Sequence, residues 1–255
     1  PPAAAAQASL PDADAPRPEY ETVLTREQLD AWLQRIGAAE LTCVDTETTS
    51  LDPMAARLVG LSLSIEPPRA CYIPLAHSYA GVPEQLPFDA TLAALRPWLE
   101  SPHHRKVGQH LKYDMHVFAN HGLKLAGVAH DTLLESYVIE AHRSHDMDSL
   151  AERHLGRKTI TFAEVCGKGA NQLRFDEVAL DRATEYAAED AEVTLALHHA
   201  LWPHIEPNEK LRSIYQDIEL PVAQVLFEME RTGVLIDRAK LEAQSAELAR
   251  RIAEL

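Results

Sequence analysis

The chain has 255 residues, of which 46% are hydrophobic and 25% are charged, so we expect a sizeable buried core and only local disorder. Asp and Glu number 39 against 24 Lys and Arg, a net charge of −15, which counts against a protein that attracts nucleic acid mainly through basic side chains. Carboxylates that hold metal ions can nevertheless bind phosphates, so a phosphate-directed function stays open.

The cysteine pattern and the lack of long apolar runs bear on the compartment. The three cysteines, Cys43, Cys71 and Cys166, are far apart and form no C-x-x-C pair, which excludes a disulfide framework and a thiolate zinc site and favours a reducing compartment. No apolar run approaches the roughly 20 residues that cross a bilayer, and the first residues do not resemble a secretory signal. We therefore expect a cytoplasmic protein with no membrane partner.

The first part of the chain predicts a linker, a helix and three strands. Residues 1–19 are rich in Ala and Pro and are predicted to be a flexible linker. Thr25 and Gln28 form a capping-box pattern, and apolar residues at helical spacing follow as far as Ile36. Three short apolar segments in close succession then predict an antiparallel meander; they are 41–47, 61–65 and 70–75.

Helices alternate with short strands in the middle of the chain, and the part after residue 146 is predicted to be nearly all helical. The alternation between residues 92 and 139 indicates a mixed α/β layer structure. Asp181 is expected to cap a long helix that ends near Trp202. Pro221 is expected to bend a later helix, and Asp237 to cap the last one.

The first acidic motif is Asp45-Thr46-Glu47, at the end of a predicted strand. Because side chains alternate along a strand, Asp45 and Glu47 point to the same face. Two neighbouring carboxylates repel each other unless a cation lies between them. For this tripeptide alone, a strand that ends in a polar turn is the simpler explanation.

Two further acids occur on predicted helices. Asp114 lies in the first turn of a helix, where the helix dipole favours a carboxylate whatever its function. Tyr186 and Asp190 are one helical turn apart and share a face. That face is otherwise apolar, so an acid on it is costly unless it binds something. Glu189 lies off this face and is expected to be solvated.

The three motifs together are more specific than any one of them. They supply four carboxylates, Asp45, Glu47, Asp114 and Asp190, and oxygen ligands of this kind suit a pair of Mg²⁺ or Mn²⁺ ions. Two such ions roughly 3.5–4 Å apart can activate water on one side of a phosphodiester and stabilise the leaving oxygen on the other. The pattern therefore indicates metal-assisted phosphodiester hydrolysis.

These motifs resemble those of the 3′→5′ proofreading exonuclease domains of bacterial DNA polymerase I, the first part of Klenow-type fragments. They occur in the order that defines the DEDD exonucleases, with the tyrosine variant of the third motif. The resemblance implies an α/β fold of the ribonuclease H-like type, a mixed sheet with an antiparallel meander plus parallel strands, flanked by helices. The matching stretches are 44–48, 108–114, 145–153 and 186–190.

The resemblance also assigns roles to residues of this chain. Asp45 would contact both of two divalent cations, joined at one by Glu47 and Asp190 and at the other by Asp114. Tyr186, with Glu47, would orient the attacking water. The cations implied are Mg²⁺ or Mn²⁺, or Zn²⁺ at one site. The positions that match the family's substrate contacts are Leu51, Gln109, Phe162 and Thr48. Ordinary packing explains the two apolar members of that set equally well.

Two departures from the family pattern affect expected contacts to the substrate strand. His110 stands where the family often has Asn, and Ser144 stands where it often has Arg, with Arg143 one place earlier. The domain bounds that the family implies are residues 20–207 for the exonuclease and residues 208–255 for the helical start of a truncated polymerase thumb domain.

The resulting hypothesis is a monomeric proofreading exonuclease that removes 3′-terminal nucleotides from single-stranded or frayed DNA. The expected partner is a polymerase domain in the same parent chain, a DNA-directed DNA polymerase of replication and repair. The residues present here are not expected to synthesise DNA. Two alternatives stay open: an RNA 3′ exonuclease resembling ribonuclease D, and a non-catalytic scaffold domain.

Overall fold

The structure is a computed structural model, and it describes residues 18–255. The predicted linker therefore lies outside the described residues except for its last two positions, and a strand already begins at Glu19. The elements of the sheet half are β1 (Glu19–Thr22), α1 (Arg26–Ala38), β2 (Leu41–Thr48), β3 (Leu58–Glu66), β4 (Arg69–Pro74), α2 (Phe88–Leu99), β5 (Arg105–Gly108), α3 (Leu111–Asn120), β6 (Val128–Asp131) and α4 (Thr132–Glu140).

The second half is helical but broken. Its elements are α5 (Met147–Leu150), α6 (Phe162–Cys166), α7 (Leu180–Ile205), α8 (Glu209–Ser213), α9 (Leu220–Thr232) and α10 (Arg238–Ala253). Short 3₁₀ and π turns join several of them, at Ala151–Leu155, Gly169–Asn171, Phe175–Glu177 and Ile214–Glu219. The prediction that this half is nearly all helical is therefore wrong for the stretch between α5 and α7, where turns and loops alternate with one-turn helices.

The six strands form one mixed sheet in the order β1-β4-β3-β2-β5-β6. Strands β2, β3 and β4 pair antiparallel, which confirms the predicted meander. The β1–β4, β2–β5 and β5–β6 pairs are parallel. Strand β2 lies inside the sheet between β3 and β5, so its end projects into the middle of the layer rather than at an edge.

Helices cover both faces of the sheet. On one face, α1, α2 and α3 bury their apolar stripes against β2, β3 and β4, through side chains such as Trp32, Leu95 and Phe118. On the other face α7 packs along the sheet, with Ala191 and Leu195 against Cys43 and Val107. Because side chains alternate along β2, its even-numbered residues meet the first layer and its odd-numbered residues meet α7.

Helix boundaries follow local chemistry with two corrections. The capping box of Thr25 and Gln28 is present at the start of α1, and Asp237 caps α10. Helix α7, however, starts after Ala179, so Asp181 lies in its first turn and is not the cap. The helix also runs to Ile205, beyond the predicted end. Pro221 is the second residue of α9, directly after the π turn, where its missing N–H disturbs the regular helical bonding least.

The length and the apolar character of the helices determine whether any of them could cross a bilayer. Among residues 18–255, no helix is both long enough and apolar enough to cross a membrane.

Candidate active site

Three of the four predicted carboxylates form a compact cluster. Oxygen atoms of Asp45, Glu47 and Asp190 all lie within 4.8 Å of one another. The first two come from the α7 face of β2, and the third comes from the buried side of α7, which crosses that face. Strand alternation and helical periodicity therefore bring together residues that are far apart in sequence.

Asp114 lies beside this cluster but outside the compact group. It occupies the first turn of α3, on the opposite face of β2, and is buried. Its Oδ1 accepts a 2.6 Å hydrogen bond from the hydroxyl of Thr46, the residue between the other two acids. The charge of Asp45 raises the pKa of Asp114, after the larger effect of burial, so the two carboxylates are electrostatic neighbours.

Burial makes the negative charges in the cluster costly. It is the main cause that raises the pKa of Asp45 to about 6, and it raises the pKa of Glu47 and Asp190 well above their usual range. The charge of Asp45 adds to the rise of the pKa at both Glu47 and Asp190. Ionised acids held together in this way require compensation by positive charge.

The donor set fits divalent cations. Within residues 18–255, none of the four acids forms an ion pair with Lys or Arg, so no basic side chain supplies the missing charge. Glu47 Oε1 and Asp190 Oδ1 are buried and have no hydrogen-bond partner among these residues. Unpartnered buried carboxylate oxygens are what hard cations bind. The cluster can therefore hold metal ions, through oxygens that the protein itself leaves unsatisfied.

Tyr186 lies one helical turn before Asp190 and is half-buried. Its ring packs against Phe175 at 5.8 Å and meets the edge of Phe162 at 6.3 Å. Burial, and then the charge of Asp190, raise the pKa of Tyr186 far above its usual value. The phenol therefore stays protonated at neutral pH, so it can donate or accept a hydrogen bond but cannot act as a strong base.

A cavity of about 540 Å³ opens in front of the cluster. Glu47 and Tyr186 lie on its wall, and three of the four predicted substrate contacts line it: Thr48, Leu51 and Phe162. The Leu51 side chain is 94% exposed and Phe162 is 40% exposed, so neither is ordinary core. Exposed apolar side chains can pack against the flat face of a base, and buried acids can hold cations that bind a phosphate. A nucleotide has both of these features.

Gln109, the fourth predicted substrate contact, does not line this cavity. Its side-chain amide donates to the carbonyl of His145 at 2.7 Å and accepts from the hydroxyl of Thr132. These bonds connect the start of α3 to the loop before α5. Whether the amide also contacts a substrate stays a prediction.

The left-handed backbone at His110 explains why this position tolerates a departure from the family pattern. It has φ 64° and ψ 47°, a region in which Asn and His are enriched among non-glycine residues. The carboxylate of Asp131 accepts from the backbone N–H groups of His110 and Leu111, at 3.0 and 2.8 Å. Asp131 therefore fixes the start of the helix that carries Asp114. The sequence pattern did not identify it.

Glu189, which we expected to be solvated, is buried and paired. Arg157 donates to Glu189 at 2.9 Å and to Glu192 at 2.5 Å, and the backbone N–H of Ile160 donates to Glu189 at 2.6 Å. The prediction is wrong because the loop before α6 folds back over this side of α7. The pairing holds the loop that leads to Phe162 against the helix that carries Asp190.

Replacing Arg157 with Ala should destabilise the chain strongly. Glu189 and Glu192 would be left buried and unpaired, which costs about 3 kcal/mol, the lower end for a buried pair because Arg157 is 30% exposed. We expect the melting temperature (Tm) to fall by about 6–12 °C. Arg182→Ala is the matched control, since its pair with Glu185 is exposed and should cost less than about 1 kcal/mol. Equal shifts in the two variants would contradict the assignment.

Two other residues of the cavity wall were missed by sequence reasoning. Tyr113, which precedes Asp114, donates to the carbonyl of Ser50 at 2.5 Å and contacts the hydroxyl of Thr48. Arg174 lies on the wall and pairs with Asp176 at 2.7 Å. The position of Tyr113 beside a predicted ligand was a usable signal. Nothing in the sequence around Arg174 marked it.

Comparison with protein families agrees with this geometry. The model of a family described as 3′→5′ exonuclease matches residues 20–206, from β1 to just past the end of α7. The chain is 50% identical over 240 residues to DNA polymerase I of Pseudomonas aeruginosa, covering 93% of this chain and 26% of that protein. It is 40% identical over 254 residues to DNA polymerase I of Rhizobium leguminosarum, covering 92% of this chain and 25% of that protein. The chain thus spans about a quarter of the length of these relatives.

Solved structures give the same picture. The polymerase domain of Pol1 from M. smegmatis, in complex with DNA primer-template and dNTP, superposes with a TM-score of 0.72 at 26% identity, over 92% of this chain and 36% of that one. Escherichia coli RNase D superposes with a TM-score of 0.58 at 18% identity, over 85% of this chain and 52% of that one, a likeness of fold alone. The chain belongs to the 3′→5′ exonuclease family, and within it the chain is similar to the exonuclease region of bacterial DNA polymerase I.

Proposed function

We propose that the chain removes 3′-terminal nucleotides from single-stranded or frayed DNA, as the proofreading part of a bacterial DNA polymerase I. The observation that carries this proposal is the cluster of Asp45, Glu47 and Asp190, which has buried oxygens without hydrogen-bond partners among the described residues and borders a cavity through Glu47. Family membership supports the reaction, and the relatives named DNA polymerase I support the parent protein.

In this proposal Asp45, Glu47, Asp114 and Asp190 hold two divalent cations, Mg²⁺ or Mn²⁺, or Zn²⁺ at one site. Such cations activate water and stabilise the charge on the leaving 3′ oxygen. Asp45 stands between the two sides, since Glu47 and Asp190 belong to its cluster and Asp114 is its neighbour across the strand. Thr46 fixes one oxygen of Asp114 and leaves the other free for a ligand.

Tyr186, with Glu47, orients the attacking water by a hydrogen bond from its protonated phenol. Tyr186→Phe should therefore keep the fold and lower kcat by about 10- to 150-fold, the loss of a hydrogen bond of 1.5–3 kcal/mol to a charged group. Because the phenol does not ionise near neutrality, the ratio of the two rates should not change between about pH 6.5 and 8.5. Single-turnover cleavage of a labelled oligonucleotide at several pH values measures this, and equal rates in the two proteins would exclude the role.

Leu51 and Phe162 pack against the terminal bases of the strand, and Thr48 and Gln109 supply polar contacts. Leu51→Ala should raise KM by about 5- to 30-fold with little change in kcat, since burying one Leu side chain is worth roughly 1–2 kcal/mol. The Tm should not move because Leu51 is 94% exposed. Leu235→Ala removes a similarly exposed Leu far along the chain and should leave KM unchanged. A KM that Leu51→Ala leaves unchanged would exclude this contact.

The remaining parts of the proposal concern the parent protein. Residues 20–207 form the exonuclease domain, and residues 208–255 are the helical start of a polymerase thumb domain. The partner of this domain is the polymerase domain of the same chain, and the parent works as a monomer in the bacterial cytoplasm. The relatives named DNA polymerase I, of which this chain covers about a quarter, support a polymerase domain in the same parent chain.

Cleavage of labelled oligonucleotides tests the proposed function. With Mg²⁺ or Mn²⁺, a 5′-labelled single-stranded DNA should shorten stepwise from its 3′ end, and a 3′ label should appear in a mononucleotide. Overhangs should be cut faster than paired blunt ends, because a terminus must be unpaired to reach a recessed site. A preference for RNA of matched sequence would support a ribonuclease D-like enzyme instead, and no cleavage with any divalent cation would support a scaffold.

A further inference from the structure

A second cluster of metal-type ligands lies away from the carboxylates of the active site. His130 lies in β6, Glu135 lies in α4 and His198 lies in α7, and all three residues are at most 5% exposed. Both imidazoles bring Nδ1 to the same carboxylate oxygen, Glu135 Oε1, at 3.0 Å from His130 and 2.8 Å from His198. One ligand atom from each of the three residues lies within 4.8 Å of the others.

Hydrogen bonding alone does not satisfy this cluster. Glu135 Oε2 is buried and has no partner among the described residues, while Oε1 serves both histidines. Among the described residues the ion-pair partners of Glu135 are these two histidines, which carry a positive charge only when protonated, and no Lys or Arg pairs with it. A cation held by both imidazoles and the carboxylate would supply that charge and use the second oxygen.

The geometry is close to that of a bound metal. Bonds of about 2.0–2.2 Å in a tetrahedron place ligand atoms roughly 3.3–3.6 Å apart, so the two separations between nitrogen and oxygen, 3.0 and 2.8 Å, need only a small expansion. Aromatic neighbours fix the ring orientations: Trp202 lies 4.5 Å from the His130 ring and 6.1 Å from the His198 ring, centroid to centroid. Rings held in advance in this way lose little freedom when a metal binds.

The cluster can be reached from the surface, and one arginine side chain lies at this approach. A cavity of about 830 Å³ has His130, His198 and Arg105 on its wall. Arg105, whose side chain is 48% exposed, donates to Nε2 of His130 at 3.0 Å. If Nδ1 of His130 binds a metal, Nε2 carries the proton and can no longer accept this bond. Arg105 must therefore move away, and it competes with the metal.

We propose that His130, Glu135 and His198 form a second divalent-cation site, of the type that takes Zn²⁺ or Co²⁺ and keeps its fourth position for water. Two imidazoles and one carboxylate suit these borderline ions, whereas the all-oxygen set of the active site suits Mg²⁺ and Mn²⁺. The site joins β6, α4 and α7, roughly 12 Å along α7 from Asp190. Its role is to brace α7, and it does not depend on the proposed nuclease function.

Calorimetric titration of the chelator-treated full chain with Zn²⁺ tests this site. Asp45→Asn serves as the background, because it removes the carboxylate assigned to both active-site cations while leaving the second cluster intact. One equivalent of Zn²⁺ should bind and raise the Tm. Adding His198→Asn should weaken this binding by more than the roughly 10- to 100-fold that loss of an outer-sphere partner costs. Adding Arg105→Gln instead should strengthen it several-fold, because a competitor is removed.

A spectrum and a stability control keep the test independent of folding failures. Co²⁺ bound to the Asp45→Asn chain should give the visible absorption of a four-coordinate ion, and adding Arg105→Gln should give the same bands at lower metal concentration. The Tm of each variant in chelator shows whether it folds. Absence of the Co²⁺ bands, or equal Zn²⁺ affinity in folded Asp45→Asn with and without His198→Asn, would overturn the proposal.

Discussion

Replacing Asp190 with Asn is expected to remove 3′→5′ hydrolysis while the metal-free chain becomes more stable. The loss of a ligand forfeits several kcal/mol of charge stabilisation, so the rate should fall by at least roughly 10³-fold. The gain in stability follows because Asp190 is buried in a cluster of like charges that raise its pKa, and the neutral amide removes that repulsion. Single-turnover cleavage and thermal unfolding in chelator measure the two effects.

Asp181→Asn is the matched control for this experiment. It lies on the same helix, in the exposed first turn, and makes the same chemical change. Neither its rate nor its Tm should move appreciably. Hydrolysis at the normal rate in the Asp190→Asn protein would remove Asp190 from the metal ligands. A marked fall in its Tm would show instead that the carboxylate stabilises the fold.

Divalent cations should raise the Tm of the chain at neutral pH, the second large effect that we expect. A cation at about 100 times its dissociation constant stabilises the fold by about 2.7 kcal/mol, or roughly 5–10 °C for a domain of this size. Asp45→Asn should lose most of this shift with Mg²⁺, because the proposal assigns the Asp45 carboxylate to both cations. An equal Mg²⁺ shift in the variant would mean that the cation binds elsewhere.

The same carboxylates should make the metal-free stability depend on pH. Burial raises the pKa of Asp45 from 3.8 to about 6, so the fold takes up this proton more readily than the unfolded chain does. Its contribution is fully present below about pH 4 and is lost as the pH rises through about 6. The difference in Tm between Asp45→Asn and the unaltered chain should therefore grow between about pH 5 and 7.5 in favour of the variant. A constant difference would exclude a raised pKa.

Local sequence patterns correctly predicted those parts of the fold that depend on residues close together in the sequence. The capping box of Thr25 and Gln28, the meander and the mixed sheet all follow from short-range periodicity and cap chemistry. Asp45 and Glu47 could be placed on one face by strand alternation alone, and Tyr186 and Asp190 by helical spacing. The order of the acidic motifs then identified the family that the comparison confirms.

The incorrect predictions concern features that depend on contacts between residues far apart in the sequence. On an isolated helix Glu189 would be exposed, but the loop that contains Arg157 covers it. The hydrophobic periodicity of the sequence does not predict this packing. The start of α7 at Leu180 depends on the extended conformation of Ala179 and not on a capping side chain. Strand alternation turns Thr46 away from Asp45 and Glu47, but it does not show that the hydroxyl reaches Asp114 on the other face.

Diffraction from crystals soaked in Mn²⁺ tests the central claim most directly, because anomalous scattering locates the metal without assuming a mechanism. The account predicts strong anomalous peaks in contact with Asp45, one of them shared with Glu47 and Asp190 and the other with Asp114. Ordered protein with no peak at these oxygens, or with Mn²⁺ bound only elsewhere, would contradict it.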